Sequence, residues 1–243
     1  LGELARAFDA TADNVVRSET ARRHIAADVA HELRTPLTVL QAGLEEVRDG
    51  LVPADPDHIA VLHAQAVRLG RIVEDLASLA AAETAALSLH LDTVDLAEVA
   101  STAMRDVEPL LSATGIHTSV AVESASVHGD ADRLHQAATN LLTNCARYCR
   151  PGDVVELRVS KDDGLARLSV QDSGPGIPEA DIPHVFDRLW RGTHTGDGQG
   201  SGIGLAVVRE LVRAHNGKVD ARRNAEGGMT FTISLPLLGT PSH

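Results

Sequence analysis

Asp28–Leu40 reads DVAHELRTPLTVL. Taken as a helix, its apolar residues continue in both directions at helical spacings: Ile25, Val29, Leu33, Leu37, Leu40, Leu44 and Val47. At ~100° per residue, His31 lies about 200° from Val29 and about 200° from Leu33 in the other sense, so it points away from the apolar stripe. Thr35 falls about 40° from His31 on the same face, and Glu32 sits beside both. The helix therefore offers an exposed imidazole with a carboxylate next to it and a hydroxyl one turn below. Pro36 removes the backbone donor that would bond Glu32 and costs ~3 kcal/mol in a helix interior, so it should bend or loosen the helix there. Taken alone, an exposed histidine among the twelve of this chain is most simply a solvated side chain.

Outward from this stretch, the first helix spans Glu19–Asp49 and stops at the breaker cluster Gly50-Leu51-Val52-Pro53-Ala54. Asp55-Pro56 offers a cap followed by proline at the first helical position. A second helix carries Ile59, Leu62, Ala66, Leu69, Ile72/Val73, Leu76 and Leu79 near heptad spacing. Two antiparallel helices bury too little by themselves, and a four-helix bundle built from two chains resolves this. A homodimer through residues 20–83 is expected. Ala81–Leu89 reads as an alanine-rich transition that turns strand-like. From Leu91 onward the pattern is α+β. Helices are expected over Val94–Ser112, over Asp130–Tyr148 with Asp130 as cap, and over Ser201–His215, closed by Asn216-Gly217. Strands are expected over Ile116–Val122, Val154–Ser160, Leu165–Asp172, Lys218–Arg222 and Met229–Leu235, with a turn at Asp163-Gly164.

Composition narrows the function classes. The 243 residues are 43% hydrophobic but only 2% aromatic, so the core must be Ala, Leu and Val. Lys and Arg number 22 against 34 Asp and Glu, a formal charge of −12, which argues against a nucleic-acid partner. It does not argue against ATP, which is met by a metal and a few local arginines. Cys145 and Cys149, four apart on a helix, are too few for a disulfide framework or a thiolate metal site and read as small reduced side chains. No run of 18 apolar residues and no signal peptide is visible.

Four further stretches carry chemistry. In Asp130–Gly152 the carboxamides of Asn140 and Asn144 lie about 40° apart, opposite the apolar arc, and two such oxygens can ligate a hard cation such as Mg²⁺. Val170–Pro178, VQDSGPGIP, ends a strand with Asp172, an acceptor for an exocyclic amine, followed by glycines that let backbone approach a flat ring. Val185–Arg191 is VFDRLWR, whose Arg188 and Arg191 match phosphate geometry. Gly200–Leu205, GSGIGL, opens a helix, so its backbone N–H groups can face phosphate oxygens. It fits neither the Walker nor the GxGxxG pattern.

In this order the motifs resemble sensor histidine kinases of two-component systems, and the resemblance covers essentially the whole chain. His31–Leu37 resembles the phosphoacceptor box, Asp130–Gly152 the N box, Val170–Pro178 the first glycine box, Val185–Arg191 the F box and Gly200–Leu205 the second glycine box. The fold it implies is multidomain: an α-helical hairpin forming a dimeric four-helix bundle, then an α+β sandwich of the histidine kinase/gyrase/chaperone ATPase type. Residues 1–19 would end a linker from a membrane helix, 20–85 would be the dimerisation and phosphotransfer domain, and 90–238 the ATP-binding catalytic domain. This would make the chain the cytoplasmic part of a membrane-anchored sensor.

The resemblance implies ATP-dependent phosphorylation of His31, with Glu32 as its base, followed by transfer to an aspartate of a response regulator. Thr35 would serve dephosphorylation of that regulator. Asn140 and Asn144 would hold Mg²⁺. Asp172 would read the adenine amino group, and Arg147, Tyr148, Gly174, Gly176, Ile177, Arg188, Arg191, Gly200, Ser201, Gly202, Ile203, Gly204 and Leu205 would contact the nucleotide. Phe186 would pin an ATP lid formed by the Gly-rich stretch Gly192–Gly202. Cys145 and Cys149 depart from the family, where Ala and Ser/Thr are commoner, as does Leu189 in place of an aromatic. A gyrase-type ATPase would need a glutamate where this chain has Asn140, so a base for water is missing there. A silent scaffold is disfavoured by the intact boxes.

Overall fold

The computed structural model describes residues 33–85, 89–190, 192 and 202–239. Contacts divide it into two units, Leu1–Glu74 and Asp75–His243. Residues 1–32 lie outside the described residues, so the expected linker and the His31-Glu32 pair do too.

Helix α1, in the first unit, is described over 33–48, and helix α2, Pro56–Ala85, begins in that unit and runs on past Glu74. The breaker cluster forms the turn between them, with Gly50 at φ +71°. Asp55 caps α2, accepting from His58 N at 2.8 Å, and Pro56 takes the first helical position as expected. The helices approach closely at Gly43, where a Cβ would stand 2.6 Å from Leu62 Cδ2. The apolar stripe of α1 splits in two. Leu33, Pro36, Leu40, Gly43 and Val47 are turned inward, whereas Leu37 and Leu44 are 43% and 53% exposed. In α2 likewise Leu62 and Ile72 are buried while Ile59 and Val73 are exposed. The expected transition at Ala81–Leu89 is instead helix up to Ala85, as three successive alanines favour.

The second unit is a two-layer α+β domain. Its main sheet runs in the order β2 (His117–Val122), β4 (Val154–Asp162), β5 (Leu165–Asp172), β7 (Met229–Pro236), β6 (Lys218–Arg223). Only β2 and β4 are parallel. On its inner face Val155, Leu157, Val159, Leu168, Val170, Phe231 and Ile233 are buried, each 2% exposed or less. They share one core with α3 (Leu96–Ala113), α4 (Ala131–Tyr148) and α5 (Gly204–Ala214). Alternate strand residues such as Arg158, Ser169 and Thr232 leave the other face polar.

A ladder of β1 (Asp92–Asp95) and β3 (Ser126–Gly129) was not visible in the sequence, because four-residue strands show too few alternations. The β4–β5 hairpin turns at Asp163-Gly164 with φ +49° and +74°, the two positive values a tight turn requires. Asp130 caps α4 through Arg133 N at 3.2 Å, and Asn216 closes α5 at φ +55°.

Asp95 ends β1 and caps α3. Its Oδ1 accepts from Ala97 N at 2.9 Å and Ala125 N at 3.0 Å, tying the helix to the start of β3. Burial opposes its charge, but bonds from the Ser124 side chain and from the Ala125 and Ala97 N–H groups outweigh this and hold the carboxyl below its ordinary value. A depressed folded-state pKa means stability that is present above the unfolded value and lost as pH falls through the folded one. Asp95→Ala should lower the unfolding free energy of this unit by about 1–2 kcal/mol at neutral pH and by less in acid, measured by urea titration.

Candidate functional site

The inner ends of α4, β5 and β7 and the start of α5 enclose a cavity of about 220 Å³. Asp172 is the last residue of β5 and only 8% exposed. Its Oδ1 accepts from Gly174 N at 3.0 Å and Met229 N at 3.2 Å. No other hydrogen bond reaches the carboxylate among the described residues, which leaves Oδ2 without a partner at the cavity wall. Burial raises its pKa above the ordinary carboxylate value, the two N–H bonds oppose the rise, and the charge of Asp153 adds to it. Asn224 fixes the backbone behind it, its Nδ2 donating to Asp172 O at 2.7 Å and Met229 O at 3.2 Å.

Each box contributes a wall. From α4 come Asn140, Thr143, Asn144, Arg147 and Tyr148, together with both cysteines. The Asn140 Nδ2 donates to Gly204 O at 3.3 Å, which links α4 to the start of α5 and leaves the carboxamide oxygen as the end able to take a cation. From the loop after β5 come Pro175, Gly176, Ile177 and Pro178. Gly176 has φ +68°, and a Cβ there would collide with Gly227 O of the β6–β7 turn, so only glycine lets the loop lie against that turn. Gly202, just ahead of α5, and Gly204 and Leu205 at its start line the cavity. Gly202 has φ +73°, and its Cβ would stand 2.6 Å from Leu189 C and Trp190 O, so here glycine serves the docking of the second glycine box against the F box.

Other expected residues are placed differently. Gly174 does not line the cavity but donates to Asp172. Ile203 is fully buried in the core, preceding α5. Arg188 is outside the lining, its guanidinium 3.8 Å from Glu210 of α5. Asp187 pairs with Arg209 at 3.1 Å, a second clasp between the F box and α5. Phe186 is buried and meets Phe231 edge-on at 6.3 Å. Thr35 is exposed on α1. His31, Glu32, Arg191, Gly200, Ser201 and the stretch 193–201 lie outside the described residues. Sequence reasoning missed Thr143, Val185, Met229 and Phe231 as lining. The last two stand on β7, which the sequence reading identified only as a strand.

The carboxamide oxygens of Asn140 and Asn144, one turn apart at the cavity, suit a hard cation that keeps waters and phosphate oxygens as its remaining ligands. No cluster of three or more His, Cys, Asp or Glu able to hold a metal occurs among the described residues.

The comparisons with known proteins agree with this geometry. Residues 21–85 match the His Kinase A (phospho-acceptor) domain family, and 129–239 the histidine kinase-, DNA gyrase B- and HSP90-like ATPase family. The signal transduction histidine-protein kinase BaeS of Escherichia coli (strain K12) is 35% identical over 243 residues, 98% of this chain and 51% of that protein. The histidine-protein kinase/phosphatase MprB of Mycobacterium sp. (strain KMS) is 34% identical over 249 residues, 97% of this chain and 48% of that protein. The structure of Acinetobacter baumannii histidine kinase AdeS superposes with a TM-score of 0.67 at 28% identity, covering 85% of this chain and 98% of that one. The chain belongs to the two-component sensor histidine kinases, with a phosphoacceptor domain followed by a catalytic domain. It spans about half the length of the curated relatives it matches.

A carboxylate with a raised folded-state pKa contributes stability below its unfolded value and loses it as pH rises through the folded one. Asn at position 172 keeps an oxygen for the two N–H donors without a charge. In the nucleotide-free protein, Asp172→Asn should therefore match or exceed wild-type stability at neutral pH, and its advantage should vanish in acid. Denaturant midpoints at the two pH values check this.

Proposed function

We propose that this chain is an ATP-dependent protein histidine autokinase that phosphorylates His31 and passes the phosphoryl group to an aspartate of a response regulator. The observation that carries the reading is the cavity in which four separated boxes meet around the buried Asp172. The match of residues 21–85 to a phosphoacceptor domain supplies the other half, because it contains His31. Asp172 Oδ2 accepts the exocyclic amine of adenine, and Gly176 lets the loop approach the ring. Arg147 and Tyr148 flank the nucleotide, and Arg191 and the backbone of Gly200–Leu205 face its phosphates, while Arg188, turned toward Glu210, braces the F box against α5. Mg²⁺, held by Asn140 and Asn144, would neutralise charge on the phosphate oxygens. A ring nitrogen of His31 bonds the γ-phosphorus in line as the bond to the ADP oxygen breaks, and Glu32 takes the ring proton.

Thr35 orients a water toward the phosphorylated regulator. The relative MprB is a histidine-protein kinase/phosphatase, which supports assigning that second activity here. The role of cytoplasmic part of a membrane-anchored sensor belongs to the same proposal. Among the described residues no helix is long and apolar enough to cross a membrane.

The dimer belongs to this reading too. The outward residues Leu37 and Leu44 on α1 are one heptad apart and Ile59 and Val73 on α2 two heptads apart, the spacing of a bundle seam. Residues 20–83 thereby pair with a second copy.

Incubated with labelled ATP, the protein should acquire acid-labile label that His31→Gln abolishes; label persisting in the variant would refute the assignment. Glu32→Gln should cut that labelling, whereas Thr35→Ala should leave it and slow loss of phosphate from the regulator. Asp172→Asn should lose most of the thermal shift that ATP gives the wild type, about 2.7 kcal/mol at a hundredfold excess over Kd. Leu44→Glu, which changes a side chain exposed in one chain, should convert the dimer to a folded monomer in sedimentation, and an unchanged sedimentation coefficient would contradict the seam.

A further inference from the structure

The two cysteines where this chain departs from its family both stand at the nucleotide cavity. Cys145 is 3% exposed, and its thiol donates to Leu141 O at 3.5 Å. The neighbouring Cys149 thiol, burial, and the Asp172 charge together push its pKa well up, which keeps it protonated and inert. Cys149 is differently placed. It caps the end of α4, where the backbone turns extended at φ −75° and ψ 158°, and its half-buried side chain lines the cavity. A Cβ on Gly174 would lie 3.1 Å from Cys149 Sγ and 3.1 Å from Asp172 Oδ1, so thiol and carboxylate flank the same glycine. Asp172, 8% exposed with Oδ2 unpartnered, marks that point as the place where a ligand is read.

We propose that Cys149 is a covalent modification site inside the nucleotide cavity, open to soft, thiol-directed electrophiles whose adducts exclude the nucleotide. The proposal rests on the reading of this cavity as the ATP site. With a maleimide, the Cys149 sulfur bonds one alkene carbon, the C=C π bond is consumed, and the thiol proton ends on the adjacent carbon. Nothing is oxidised or released. The succinimide ring then stands beside Asp172, at the wall where the purine would be read, so the adduct and the base compete for the same place.

The test uses N-ethylmaleimide on the full chain, with ADP affinity measured by calorimetry and adducts mapped by mass spectrometry. One adduct on Cys149 is expected, with ADP affinity lowered at least tenfold and labelling slowed at least tenfold by saturating ADP. Cys149→Ser, compared with its own untreated form, should lose no affinity on treatment, and Cys149→Ala serves the same comparison should the serine variant not fold. Cys145→Ser should respond as wild type does. An adduct on Cys149 that leaves affinity unchanged, labelling indifferent to ADP, or an adduct confined to Cys145 or absent overturns the proposal alone. An untreated protein that binds no ADP overturns the nucleotide reading and this proposal with it.

Discussion

A carboxylate held out of water at the end of a central strand is the constraint around which the catalytic unit is arranged. Asp172 is buried and unpaired by any cation among the described residues, a placement that raises its pKa and that an apolar side chain would avoid. Two backbone N–H groups and the Asn224 clamp hold it there. They require the β6–β7 turn to lie against the loop after β5, and that in turn requires Gly176. The strand order places β7 beside β5, so the turn reaches Asp172 from the next strand.

At the other end of the same helices, a buried histidine fixes the frame. His215, 5% exposed, accepts from Asp130 N at Nε2 over 2.9 Å, and its Nδ1 donates to Leu211 O at 2.7 Å. Both contacts are satisfied at once only by the neutral ring protonated on Nδ1. The imidazole thereby joins the cap of α4 to the end of α5. Asn140 joins the two helices again near the cavity, so the walls carrying the N box and the second glycine box are tied at two points.

The hairpin unit obeys a different constraint. A single chain can turn only one apolar stripe of each helix inward, and the close approach at Gly43 uses that stripe. The remaining leucines, isoleucine and valine stay on the surface at heptad intervals, more apolar surface than a solvated helix pair needs.

The sequence by itself determined much of this. Strict alternation and a two-residue turn defined β4 and β5, capping by Asp55 and Asp130 defined the starts of α2 and α4, and local chemistry singled out Asp172, Asn140 and Asn144. These readings depend on neighbours a few residues apart, where periodicity and hydrogen bonding are local. Only the tertiary structure decided which glycines, arginines and cysteines serve the cavity. Arg188 is drawn toward Glu210, Gly202 is needed for docking against Trp190, and Met229 and Phe231 reach the cavity from a strand distant in sequence. It also decided that Cys149 is half-buried at the cavity while Cys145, one turn away on the same wall, is closed off at 3% exposure. Which way a side chain points at a helix end depends on the backbone's exit from the helix and on what packs there, and no local pattern encodes either.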